Sequence, residues 1–155
     1  YESFTYQAKI ISVSYQIEKK GDMERIRLAD DWKIINNFNI AAAEPSLPKP
    51  LALSSLEYDP YRGCFWLLTS MEANGQLDAY LWAISPTDLY AGKPFSLIRN
   101  AQGQPIHTPG HKAEDLTLLD RNQLLLISDD DRARTTIGTT TRQPNQAAYT
   151  ILKVN

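Results

Sequence analysis

The residues best suited to chemistry gather in the second half of the chain. His107 and His111 stand four apart, Lys112, Glu114 and Asp115 follow at once, and the run Ser128-Asp129-Asp130-Asp131-Arg132 comes shortly after. Two imidazoles at that spacing on a helix would suit zinc. Pro109 and Gly110 lie between them and break any such helix, so only a turn could bring His107, His111 and Glu114 together. Carboxylates are the ligands a hard cation such as calcium requires, at about 2.3–2.6 Å. Glu114, Asp115 and Asp129 are therefore the candidate metal ligands, with calcium the cation they suit, and His111, Lys112 and Asp130 are candidate ligand-binding groups beside them. The other reading of Glu114 is a turn-end carboxylate held by backbone amides or by Lys112.

Successive side chains on a strand alternate faces, so at most two of Asp129, Asp130 and Asp131 can share a site. Their spacing departs from the Asp-x-Asp-x-Asp-Gly calcium loop. A solvated loop cap paired with Arg132 and Arg134 is the alternative there. The chain has no Gly-x-Ser-x-Gly elbow, phosphate-cradling glycine loop, dinucleotide fingerprint or paired Cys-x-x-Cys. Serine-triad acyl transfer and nucleotide chemistry thus lack support, and no catalytic residue is assigned.

The elements that position these residues belong to a chain of 155 residues, 43% hydrophobic and 22% charged, which is the composition of one globular domain. No apolar run approaches the roughly 18–20 residues of a membrane helix, so no membrane insertion is expected. Sixteen Lys and Arg against eighteen Asp and Glu give a net charge of −2 with no basic cluster, which disfavours a nucleic-acid partner. Cys64 is the one cysteine; it can form no internal disulfide and reads as a structural thiol in an apolar run. Tyr1-Glu2-Ser3-Phe4 has neither an initiator Met nor a signal-peptide pattern, so the chain is expected to begin after something was removed or to be only part of a longer product.

Short alternating segments cut by Gly, Pro, Asn and Asp recur throughout, the pattern of an all-β protein. Strands are expected near 6–17, 23–29, 51–58, 64–70, 78–85, 95–99, 113–119, 123–128 and 147–154. Pro86–Gly92 can form one helical turn, with Ser85 as cap, Pro86 at the first position and Gly92 as stop. The proline-rich stretch 41–50 and the Thr-rich stretch 134–142 read as loops, the second as a mobile one.

An internal repeat organises the strands. Ser55-Leu56-Glu57-Tyr58-Asp59-Pro60, then Phe65-Trp66-Leu67-Leu68-Thr69-Ser70, is matched 59 or 60 positions later by Asp115-Leu116-Thr117-Leu118-Leu119-Asp120, then Leu124-Leu125-Leu126-Ile127-Ser128-Asp129. Each unit is a strand, an Asp-bearing turn, a hydrophobic strand and a small polar ending. Tandem four-stranded antiparallel units are the blades of a β-propeller, and apolar residues on both faces of a blade explain the continuous runs Phe65–Leu68 and Leu124–Ile127. The expectation is a single, incomplete propeller of two to three four-stranded blades over 1–155: one blade at 51–100, one at 111–155, and 1–40 in an adjoining blade. Tyr6–Ile17 is long enough to pair beside Tyr149–Val154 and cover an edge. Trp66 and Trp82 read as packing between blades, and Tyr61 and Trp32 as surface contacts.

Lys112-Ala113-Glu114-Asp115-Leu116, followed by Ile127-Ser128-Asp129-Asp130, resembles the Lys-x-Glu-Gly-Leu and Val/Ile-Ser-Asp-Asp signatures of an uncharacterised bacterial propeller family. That family is similar in pattern to phytase-like, esterase-like and gluconolactonase-like six-bladed propellers. The resemblance covers roughly residues 50–131, and Asp115 stands where the pattern has Gly. It implies that the chain is the C-terminal blades of a larger ring, completed by other blades of the same protein or by a homo-oligomer, in a periplasmic or secreted setting. Two functions follow: a binding or scaffold module, or a metal-dependent phytase-like or lactonase-like hydrolase with Glu114 and Asp115 or Asp129 around a cation in the central channel.

Overall fold

A computed structural model describes residues 7–48, 50–130 and 136–154. The protein is built mostly of antiparallel strands. Strands β1 (Gln7–Ser12), β2 (Tyr15–Lys20), β3 (Met23–Leu28) and β4 (Lys33–Asn39) precede helix α1 (Ile40–Ala43). Next come β5 (Ala52–Asp59), β6 (Cys64–Ala73), β7 (Gln76–Ile84), helix α2 (Pro86–Tyr90) and β8 (Ser96–Leu97). The remainder is β9 (Ala113–Asp120), β10 (Gln123–Ser128), β11 (Thr136–Ile137), β12 (Thr140–Thr141) and β13 (Ala148–Lys153). The sheets are β1-β4, β5-β6-β7-β8 and β13-β10-β9, with β2-β3 and β11-β12 as two-stranded ribbons.

The central sheet β5–β8 is covered on both faces. One face sends Leu67, Met71, Tyr80, Trp82 and Ile84 into a core shared with Ile10 and Phe38 of the β1-β4 sheet, Leu89 of α2, and Phe95. The Phe38 ring meets Trp82 edge-on at 5.3 Å. The opposite face sends Trp66, Leu68, Ala79 and Leu81 into a second core with Ala113, Leu116, Leu124 and Leu126 of the β9-β10-β13 sheet. Alternation of side chains explains the division: Leu67 and Leu68 are both fully buried, one in each core.

The β5-β6 and β9-β10 hairpins share one local irregularity. In β5 the register with β6 slips between Leu53 and Ser55, leaving Ser54 as the extra residue. In β9 the register with β10 slips between Ala113 and Asp115, leaving Glu114 extra. Each hairpin thus carries a β-bulge near the start of its first strand, and Ser54 and Glu114 are 60 positions apart.

Several expectations are corrected. The segment 6–17 is two strands, because the Asp31 carboxylate accepts from both the Ser14 amide at 2.9 Å and its hydroxyl at 2.6 Å and turns the chain there. Residue Tyr6 lies outside the described residues, as do Tyr1-Glu2-Ser3-Phe4. The first strand does not pair beside β13: β1 pairs with β4, a strand the alternation pattern did not reveal, and β13 pairs with β10. Residues 41–43 end a short helix capped by Asn39, whose side chain accepts from the Ala42 amide. Of the expected loop 134–142, residues 136–141 form the β11-β12 hairpin, while 134 and 135 lie outside the described residues. The helical turn after Ser85 is present, with Pro86 in its first turn and Gly92 at φ 69° beyond it.

Truncating Leu68 to Ala, inside the second core, is expected to cost about 2–5 kcal/mol of stability in urea unfolding. Tyr90→Ser, at an exposed position on α2, should stay within about 0.5 kcal/mol.

Candidate functional site

The polar groups singled out in the sequence collect at one end of the two stacked hairpins, where β5 and β9 begin. Asp130 is fully buried. Its Oδ2 accepts from His111 Nδ1 at 3.0 Å and its Oδ1 from the Lys112 amide at 2.9 Å. A carboxylate on Nδ1 fixes the ring and its tautomer and directs Nε2 away from the aspartate. The turn carrying His111 is held by reciprocal bonds: the His111 amide donates to the Thr108 carbonyl, and Thr108 Oγ1 donates to the His111 carbonyl. The Asp129 amide donates to the Lys112 carbonyl, tying the end of β10 to the approach to β9.

Lys112 Nζ lies 3.2 Å from Glu114 and 3.3 Å from Glu72, so the bulged Glu114 forms an ion pair at the strand start. Asp115 accepts from Ser55 Oγ at 2.9 Å and from the Leu116 amide. This bond joins the β5-β6 hairpin to the β9-β10 hairpin. Asp129 is exposed beyond β10. The three carboxylates expected to share a cation are thus directed to different surroundings. Among the described residues, no three His, Cys, Asp or Glu side chains are grouped to hold a metal ion. Asp131, Arg132 and Arg134 lie outside the described residues.

His107 and His111 do not converge, because each has its own aspartate. His107 Nδ1 contacts the Asp78 carboxylate at 2.9 and 3.1 Å and its ring stacks on Tyr80, centroids 5.4 Å apart. Tyr80 Oη donates to the same carboxylate at 2.9 Å. Burial, reinforced by the bond to Asp78 and its negative charge, pushes the Tyr80 phenol well above its ordinary range. This Asp78–Tyr80–His107 group was not anticipated. The available signal was an aspartate flanked by Leu77, Ala79 and Leu81 in a strand, since a carboxylate in such surroundings must be partnered.

A second unanticipated centre sits at the opposite end of the hairpins. Asp59, fully buried, accepts from Trp66 Nε1 at 3.1 Å, from the Tyr61 and Arg62 amides at 2.8 and 3.0 Å, and from Arg62 Nη1 at 3.2 Å. Arg62 also donates to the Arg121 carbonyl in the sister turn and to the Val154 carbonyl after β13. Burial alone would raise the Asp59 carboxyl; the indole, the two amides and the guanidinium outweigh it and hold the group below its ordinary value. Trp82 is internal, with Nε1 donating to Thr69 Oγ1, while Trp32 and Tyr61 are exposed, Tyr61 with the Arg121 guanidinium 6.0 Å from its ring centre. Cys64 is half-buried, and burial raises its thiol.

No protein-family model, curated protein or solved structure matches this chain.

Because the folded Asp59 carboxyl titrates below its unfolded value near 3.9, it adds stability that is fully present above about pH 4 and disappears as pH falls through the folded value. Asp59→Asn is expected to lose about 1–3 kcal/mol at neutral pH, and its deficit in urea unfolding should shrink on acidification. A deficit constant down to the acid limb would contradict the charge-based account. At the other end, a double-mutant cycle of His111→Ala and Asp130→Asn should return a coupling of about 0.5–3 kcal/mol.

Proposed function

We propose that the protein is a non-catalytic binding or scaffold module built as a partial β-propeller, with β5–β8 and β9-β10-β13 as successive blades and β1-β4 in an adjoining one. The observation that carries this reading is the repeated bulge, Ser54 in one hairpin and Glu114 in its sister, with Ser55 bonded to Asp115 across the blades. Inner strands of a propeller begin at its central channel, and the bulges turn that end of each strand. The channel mouth then carries His111, fixed by Asp130, and Lys112 between two glutamates, a rigid polar rim suited to recognition.

The hydrolase alternative needs several carboxylates aimed at one cation. Glu114 is neutralised by Lys112 and Asp115 serves Ser55, which favours recognition over Lewis-acid chemistry.

Thermal melting with millimolar calcium and again with EDTA tests the choice, run beside turnover assays on a phosphomonoester and a lactone. The binding reading expects the same midpoint in both buffers and no turnover. A midpoint raised by calcium, or turnover abolished by EDTA, would overturn it, because a ligand held by the native state must stabilise that state.

A further inference from the structure

The β6-β7 hairpin closes through two residues, Asn74 and Gly75, between the paired Ala73 and Gln76. Asn74 has φ 54° and Gly75 φ 75°, the two left-handed positions of a type I′ turn. Among the described residues Asn74 is the one non-glycine with a positive φ, a conformation asparagine tolerates better than most side chains. The same dipeptide has a reaction of its own, since asparagine is among the thermolabile residues. The Asn74 side-chain amide carbon is within five-membered-ring reach of the Gly75 backbone nitrogen, and glycine, with no Cβ, leaves that nitrogen unshielded. Asn-Gly occurs once in the chain, and both of its residues are exposed.

The turn keeps the reacting atoms apart. A left-handed residue has ψ near about +47°, which puts the following nitrogen on the far side of the Cα–C bond from Cβ. Ring closure requires ψ to turn until that nitrogen eclipses Cβ. The turn cannot make that rotation while Ala73 and Gln76 stay paired. We infer that Asn74 is a site of self-modification gated by its hairpin: the side-chain amide survives while the β6-β7 tip is closed and is lost when the tip opens. In the open tip the Gly75 nitrogen attacks Asn74 Cγ. A C–N bond forms, and the amide group leaves as ammonia, taking up the proton that the Gly75 nitrogen gives to solvent. Water then adds to one of the two carbonyls of the resulting succinimide and breaks its bond to the ring nitrogen, giving aspartate or isoaspartate at position 74.

The change reaches the polar groups at this end of the hairpins. Glu72 stands just before the tip, opposite Leu77, and its carboxylate lies 3.3 Å from Lys112 Nζ, which also holds Glu114 at 3.2 Å. Isoaspartate carries the main chain through its side-chain carbon and so adds one carbon to a turn whose register depends on two residues. The pairs Ala73–Gln76 and Glu72–Leu77 cannot both keep their alignment across that longer tip. Either product also adds a negative charge beside Glu72, so the Glu72–Lys112 ion pair is the contact that the conversion disturbs.

The folded chain is incubated at mildly alkaline pH beside the same chain unfolded in guanidinium chloride, and isoaspartate is located by peptide mapping with isoaspartyl methyltransferase labelling. Isoaspartate is expected at position 74 ahead of every other asparagine. It should form more than about tenfold faster in the unfolded chain, because the folded rate is scaled by the fraction of time the tip is open. Leu77→Gly, which loosens the strand beside the turn, should raise the folded rate at least about twofold and leave the unfolded rate unchanged. Equal rates in the folded and unfolded chains would overturn the gating, and an unfolded chain with no isoaspartate at 74 would remove the site. A Leu77→Gly chain that does not fold would convert at the unfolded rate in native buffer, as the gating requires; a slower rate would contradict it. In the purified isoaspartyl form, amides at the β6-β7 tip are expected to exchange hydrogen faster than in the unconverted chain, and unchanged exchange would overturn the effect on Glu72 and Lys112.

Discussion

The protein depends on a central sheet that has no wet side. β6 and β7 bury side chains toward both neighbours, so each added residue along them enters a different core from the one before. A sheet of that kind cannot be stable alone, because either face exposed would place a continuous apolar surface in water. The flanking sheets are therefore conditions for the central one as much as additions to it. The polar groups at the strand ends are arranged by the same requirement: Asp59, Asp78 and Asp130 are buried where sheet meets sheet or turn meets strand, and each is surrounded by donors.

How much of this was legible depended on the kind of signal. Hairpins whose turns carry Asn-Gly or an Asp-bearing cap could be read directly, as could the Ser85-Pro86 helix start and the Gly92 stop. β4 could not: Lys33-Ile34-Ile35-Asn36-Asn37-Phe38-Asn39 mixes three asparagines into a strand, and Asn36 is buried only because Leu89 and Lys93 offer carbonyls from far along the chain. The break at Ser14 likewise depends on Asp31, a partner that local alternation cannot reveal.

The polar site shows the same division. His111, Lys112, Glu114 and Asp130, close in sequence, also lie close in space. Proximity along the chain does not give their pairings. Adjacent carboxylates looked like ligands for a common centre, yet Glu114 stands in a bulge beside Lys112 while Asp115 turns to a serine 60 residues earlier. Spacing reports which residues are near each other along one strand; it does not report which element arrives from elsewhere to partner them.

Polar contacts tie the two hairpins at opposite ends of the same pair of strands, among them Ser55 with Asp115 where the strands begin, and Arg62 with the Arg121 and Val154 carbonyls where they finish. A single fastening would let one sheet swivel over the other on its greasy interface, whereas two fastenings separated by the length of a strand lock both the angle and the offset. Side chains between them can then interdigitate in one alignment, and whatever is presented at the rim is held on a frame that does not shear.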